Sequence, residues 1–314
     1  LLINMKNINF SYNNIKFKSI NEKEKNQIDT SISKEPFFQI LKDKKKLKHT
    51  LKVVKNYSNN KNHFIIFGIG GSNLGSKALI DILQKNNKKK ITFFDNIDPI
   101  YFKNSINNYK FKDTGFIIIS KSGKTLETLS QFACIIEIFK QKNKLKNFYK
   151  NCLVITEDTS NPLRKIATNN NCLILNHEKD IGGRYSVFSN VGTVPALIAG
   201  IDVIKFHEGA SDIVNKVTNN KDFQDHQNIA NLLTIPSFLN KIKINVIMTY
   251  SDRLNNFGKW YLQLWAESIG KKGKGITSIH SIGATDQHSQ IQLYLDGPKD
   301  KFFNFITTNH QKKG

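Results

Sequence analysis

Five short segments of this chain carry residues whose types and spacing can do chemistry, and two of them can hold an anion. Phe67-Gly-Ile-Gly-Gly-Ser-Asn-Leu-Gly75 is a glycine-rich turn between a short apolar run and a helical pattern. At such a junction backbone N–H groups and the positive end of a helix dipole can face a phosphate. The spacing is not that of the familiar nucleotide loops. A dinucleotide fingerprint needs Gly where Asn73 stands, and a P-loop beginning at Gly70 needs Lys where Ser76 stands. Taken alone, the turn reads equally well as structural. Ile119-Ser-Lys-Ser-Gly-Lys-Thr-Leu-Glu-Thr128 also ends a strand-like run and opens a helix, with hydroxyls on Ser120, Ser122 and Thr125 beside Lys121 and Lys124. An ATPase loop is excluded, because its first Gly would fall at Ile118. Helix capping by Ser or Thr is the simple alternative, but two donor-rich loops in one parallel sheet can converge on a single ligand at its carboxyl edge.

The remaining three segments offer charge and proton transfer. In Gly182-Gly-Arg-Tyr-Ser-Val-Phe-Ser-Asn-Val-Gly192, the paired glycines let the backbone approach a ligand, and Arg184 offers a fixed positive charge. Gln263-Leu-Trp-Ala-Glu267 places Gln263 and Glu267 on one helical face by i, i+4 spacing. By spacing alone each reads as a solvated surface group. Gly283-Ala-Thr-Asp-Gln-His-Ser289 carries His288, whose ordinary pKa suits proton transfer near neutrality. The other histidines lack metal-ligand spacing, so no metal is expected.

Elements that can position these residues alternate along the chain. Phe64 to Phe67, Ile91 to Phe94, Phe116 to Ile119, Leu153 to Ile155 and Leu173 to Leu175 read as strands, separated by helical spacing at Leu74–Leu83 and Thr125–Lys140. Parallel strands need crossover connections, so the expected class is α/β with a parallel sheet covered on both faces. Further on, Val194 to Gly200, Asp225 to Leu233 and Trp260 to Ser268 read as helices, and Ile244 to Tyr250 as a strand. Leu293 to Leu295 is expected to be another strand, and the closing Lys-Phe-Phe-Asn-Phe-Ile-Thr run also reads as one. Two domains are expected, with a boundary near residue 200: residues 1–200 comprise the N-terminal region and the first domain, and 201–314 the second.

Composition narrows the class. A chain of 314 residues with 39% hydrophobic and 11% aromatic content can bury packed cores. The net charge of +22 is the footprint of a nucleic-acid binder. The lysines are spread among asparagines and isoleucines, however, with no zinc-finger or aromatic RNA-binding motif, so an anion-attracting surface is the expectation, with no specific nucleic-acid partner. No apolar stretch approaches the ~20 residues of a membrane span, and no signal sequence is read at the start, so a cytoplasmic protein without a membrane partner is expected. Cys134, Cys152 and Cys172 form no CxxC pair and sit in apolar runs, which predicts reduced, buried thiols.

Taken together and in this order, the five segments resemble the signature blocks of the glucose-6-phosphate isomerase family, particularly its shorter bacterial forms, from about residue 60 to about residue 305. The resemblance implies two sugar-isomerase (SIS) domains, each a three-layer αβα sandwich with a parallel sheet, the second incomplete at its C-terminus. It implies that Gly71, Ser72, Ser120, Lys121, Ser122 and Thr125 contact a sugar phosphate and its phosphate group. Gly183 and Arg184 would line the sugar's reacting end, and Gln263 would help position it. Glu267 matches the family's base, and His288 its ring-opening acid/base, which in the family reaches over from the other subunit, so a homodimer is implied. Proton transfer between adjacent carbons through an enediolate needs a carboxylate and a positive group, and no cofactor. Ser122 and Lys124 stand where threonine is usual in longer members. The chain starts at Leu1 and stops after a strand-like segment, so it is expected to be cut short. A family lysine that assists ring opening would lie beyond residue 314. A non-catalytic sugar-phosphate regulator built on the same domain is the competing reading, and an isomerase of mannose or glucosamine phosphates a second.

Overall fold

The computed structural model describes residues 31, 34–84, 89–107, 109, 111–218 and 241–308. Among these residues the apolar runs become β1 (His63–Phe67), β2 (Lys90–Phe94), β3 (Thr114–Ile119), β4 (Cys152–Thr156) and β5 (Leu173–Asn176). They form one parallel sheet in the order β2-β1-β3-β4-β5. All residues of β3 and β4 are buried, as continuous apolar strands require when both faces are covered. Alternation divides them between two cores. Ile65, Phe67, Phe116, Ile118 and Val154 face Phe132, Ile135 and Phe139 of the helix Leu126–Gln141. Phe64, Ile66, Ile117, Ile119 and Leu153 pack with Val54 and Tyr57 on one helix and Val191 and Val194 on another.

The helices are α1 (Lys44–Tyr57), α2 (Leu74–Leu83), α3 (Pro99–Asn107), α4 (Leu126–Gln141), α5 (Leu145–Lys150), α6 (Pro162–Asn169), α7 (Asn190–Ile198), α8 (Val203–Thr218), α9 (Asn255–Ile269) and α10 (Gln287–Asp296). A second parallel sheet, ordered β7-β6-β8, is built from β6 (Ile244–Tyr250), β7 (Thr277–Ile282) and β8 (Lys301–Thr307). Helix α9 docks on α2 of the first region. Asn256 Nδ2 donates to Asp81 Oδ2 at 2.7 Å, and Trp260 packs on the cluster of Leu79, Ile80 and Val187. This docking carries the Gln263–Glu267 helix to the glycine loop.

Four readings of the sequence change. Leu293 and Leu295 lie in helix α10, not in a strand, because β7 and β8 run parallel on either side of β6 and must be joined by a crossover. The glycine-broken stretch after residue 270 leads into β7, a half-buried strand whose Thr-Ser-Ile-His-Ser-Ile sequence gives only a weak apolar signal. Helix α7 starts at Asn190, capped by Ser189, earlier than the apolar pattern from Val194 indicates. Cys152 and Cys172 are buried but Cys134 is exposed on α4. The expected helix Asp225 to Leu233 lies outside the described residues. No helix among the described residues is long and apolar enough to cross a membrane.

Candidate active site

The strand order reverses at β1: its crossover leads to β2 on one side, while β3 and β4 extend on the other. Loops leaving β1 and β3 therefore diverge, and the crevice at their carboxyl ends is where such sheets bind ligands. Residues 68–73 and 120–125 are those two loops, and α2 and α4 follow them.

The hydroxyl and amide side chains of these loops do not cap the helices. Asn73 precedes α2, yet its Nδ2 donates to the Gly68 carbonyl at 2.8 Å. Thr125 precedes α4, yet its Oγ1 lies 2.8 Å from Ser120 Oγ. The first-turn N–H groups of both helices are thus left to a ligand by these side chains, which sets aside the simple capping alternative. Ser122 and Lys124 are both exposed at the rim, where Ser122 Oγ accepts from the Lys124 N–H at 3.2 Å. The Lys121 ammonium is engaged elsewhere: Nζ donates to the carbonyls of Lys179 at 2.7 Å and Ile181 at 3.0 Å, and lies 3.6 Å from Glu157. What Lys121 offers a ligand in this arrangement is its backbone.

The third segment is packed against the first with no room for a side chain at Gly71. A Cβ on Gly71 would lie 2.3 Å from the carbonyl carbon of Gly183. Ser186 Oγ reaches both carbonyls, at 3.1 Å from Gly71 O and 2.7 Å from Gly183 O. Gly70 adopts φ +57°, a conformation natural to glycine. A Cβ there would meet Gln263 Nε2 at 3.3 Å, so the turn after β1 lies directly against α9.

On α9, the helical spacing does what the sequence indicates. Gln263 Nε2 donates to Glu267 Oε1 at 2.9 Å, and Arg184 Nη1 lies 3.4 Å from Glu267 Oε2. The Glu267 side chain is 48% exposed and that of Arg184 only 19%, so the carboxylate is open to a substrate while the cation is held by protein. Gln263 Oε1 and Asn73 Oδ1 are buried without a hydrogen-bond partner among the described residues. Unpaired buried acceptors are costly, and a polyhydroxylated ligand would supply donors. His288 stands apart. It lies on the first turn of α10 and makes no bond to Arg184, Gln263 or Glu267 among the described residues.

Several residues around Arg184 escape sequence reasoning. Its Nε donates to Ser268 Oγ at 2.9 Å, and Tyr185 Oη lies 2.6 Å from the same oxygen. The Arg184 carbonyl accepts from Trp260 Nε1 at 3.0 Å. Only adjacency to Glu267 and Arg184 could have pointed to Ser268 and Tyr185.

Solved structures with this arrangement of elements define the class. A hypothetical protein of Thermus thermophilus superposes with a TM-score of 0.81 at 27% identity, over 90% of this chain and 69% of its own. The glucose-6-phosphate isomerase of Chlamydia trachomatis gives 0.70 at 22% identity, over 83% and 53%, a likeness of fold. The chain thus has the α/β fold of phosphosugar isomerases. The phosphoglucose isomerase family model matches residues 35–310, and the chain belongs to that family. Curated relatives include the probable glucose-6-phosphate isomerase of Methanococcus maripaludis, 38% identical over 81% of this chain and 58% of its own. The glucose-6-phosphate isomerase of Campylobacter jejuni is 34% identical over 80% and 62%. The chain therefore spans about three fifths of the length of these curated relatives.

Proposed function

We propose that the protein interconverts glucose 6-phosphate and fructose 6-phosphate, with Glu267 as the base that carries a proton between C2 and C1. The observation that supports this most is the meeting of Gln263, Glu267 and Arg184 beside the glycine turn after β1. A carboxylate and a guanidinium 3.4 Å apart match an enediolate, whose carbons must be reached by a base and whose oxyanion needs a positive neighbour. The phosphate would lie on the loops after β1 and β3, held by Ser72, Ser120, Ser122, Thr125 and backbone N–H groups, including that of Lys121. Gly71 and Gly183 would let the backbone approach the sugar. The hydrogen moves within one molecule, so the reaction as written consumes no redox cofactor and needs no metal.

Ring opening is assigned to His288 of the partner subunit in a homodimer. Its exposure, with no bond to Glu267 among the described residues, supports that reading, since it would be available to a second copy. A division near residue 200 into two SIS-type sandwiches, 1–200 and 201–314, agrees with the separate sheets and with the packing of α7 on the first. A water-soluble sugar phosphate as substrate, in glycolysis and gluconeogenesis, suits a cytoplasmic enzyme without specific nucleic-acid or membrane partners.

The test is turnover of glucose 6-phosphate by the full chain in deuterated water, for the wild type and Glu267→Gln. Deuterium at C2 or C1 is expected with the wild type. The variant should lose about 1,000-fold in kcat, the scale of general acid–base catalysis, while still binding a sugar phosphate. Binding without turnover in the wild type would favour the regulator reading, and retained turnover in the variant would remove Glu267 from this role.

A further inference from the structure

An arginine has four rotatable bonds, and its catalytic use depends on what fixes it. Here three groups do so. The Arg184 Nε–H donates to Ser268 Oγ at 2.9 Å. The guanidinium carbon lies 4.3 Å from the centre of the Tyr185 ring, and Phe37 stacks on that ring with centroids 4.4 Å apart and planes 16° from parallel. Two groups so close to one ring cannot share a face, so Phe37 and Arg184 sandwich Tyr185. The Tyr185 hydroxyl, 2.6 Å from Ser268 Oγ, ties the ring to the same oxygen. A serine hydroxyl has one proton and two lone pairs, so it can accept from Arg184 while bonding Tyr185.

We infer that Ser268 is a positioning residue whose hydroxyl, with Tyr185 and Phe37 behind it, sets the angle at which Arg184 faces the reacting carbons. The inference rests on the aldose–ketose reading above. Arg184 and Glu267 are only loosely joined, through Nη1 at 3.4 Å. Among the described residues, Arg184 is the charged group bonded to Glu267, and the other partner is neutral Gln263. Guanidinium and carboxylate prefer two parallel hydrogen bonds. By engaging Nε, Ser268 keeps that side of the fork out of such a pair, so the carboxylate stays free to take a proton and the cation stays aimed at the oxyanion. Without the hydroxyl, Arg184 can close on Glu267, and a tighter cation partner lowers a carboxyl pKa.

The experiment compares wild type, Ser268→Ala and Ser268→Thr in the full chain. Turnover of glucose 6-phosphate by the wild type is measured first. Ser268→Ala is expected to lose about 10-fold in kcat, the scale of one charged hydrogen bond, with KM and thermal midpoint little changed. The acid limb of its pH profile should move to lower pH, a displacement that a merely structural loss would not cause. Ser268→Thr should restore both. Tyr185→Phe, which keeps the stack and removes the hydroxyl, should shift both in the same direction by less. An active wild type with a Ser268→Ala variant of unchanged kcat and acid limb overturns the inference alone, as does a loss of kcat that Thr fails to restore. A wild type that leaves glucose 6-phosphate unchanged overturns the functional reading and this inference with it.

Discussion

The two parallel sheets bring unlike things to the crevice. In the five-stranded sheet β3 and β4 are buried along their whole length, and what reaches the site from this region is mainly backbone: the turns after β1 and β3, and Gly183 against Gly71. In the three-stranded sheet only β6 is buried through its middle, while β8 is half-buried and Phe305 is 61% exposed. From this side come the proposed substrate-positioning Gln263 and proposed proton carrier Glu267 on α9, and the proposed acid/base His288 on α10. A sheet sealed on both faces fixes the loops at its edge as a rigid mould, suited to holding a phosphate. The groups proposed to act on a substrate sit on helices beyond it, partly in solvent.

The strongest way to break this contrast is to disturb the backbone contact. Gly71→Ala places a methyl group 2.3 Å from the Gly183 carbonyl carbon, where no rotamer can relieve it. A loss of about 3 kcal/mol is expected, the upper range of overpacking, together with activity, read by denaturant unfolding and turnover. A variant of native stability would show that the two loops separate freely.

Arg184→Lys tests the charged side chain that the five-stranded region sends to Glu267. Lysine keeps the charge but loses the Nε donor and the planar face that Tyr185 supports. A fall of about 100-fold in kcat is expected, the scale of an oxyanion-stabilising donor, with unfolding unchanged. Equal losses of stability and activity would mean that Arg184 belongs to the mould.

The smallest effect concerns His207 on α8, buried against Phe188 with its Nε2 unpaired among the described residues. Burial disfavours the charged ring and lowers its pKa to about 4. Unfolded histidine titrates near 6.5 and so binds the proton first as pH falls. The stability contribution is therefore present above about pH 6.5 and is lost on approach to about pH 4. Between about pH 7 and about pH 4.5 this costs about 2 kcal/mol. His207→Phe should flatten that part of the stability profile, measured by urea unfolding across the range. An unchanged slope would assign acid lability to other groups, of which His177 and His280 are also held below the ordinary histidine range by burial.

Much of this architecture is legible in the sequence because burial on both faces leaves a plain mark. Phe-Ile-Ile-Phe, Phe-Ile-Ile-Ile and Leu-Val-Ile are strands in which every position is apolar. The pairing of Gln263 with Glu267 follows from helical spacing alone. The half-buried β7 and the helical Leu293–Leu295 escape such a reading, because short mixed runs carry no decisive period. Local sequence thus determined the parallel α/β class and named the candidate residues for the chemistry. Only the tertiary structure decided which of them meet: Gly71 with Gly183, Gly70 with Gln263, Arg184 with Glu267 and Ser268, while Lys121 turns its ammonium away and His288 stays outside. The reason is physical. A strand or helix is set by neighbours a few residues apart, whereas these contacts join residues far apart in the chain, and those of Gln263, Glu267 and Ser268 form where α9 docks on α2.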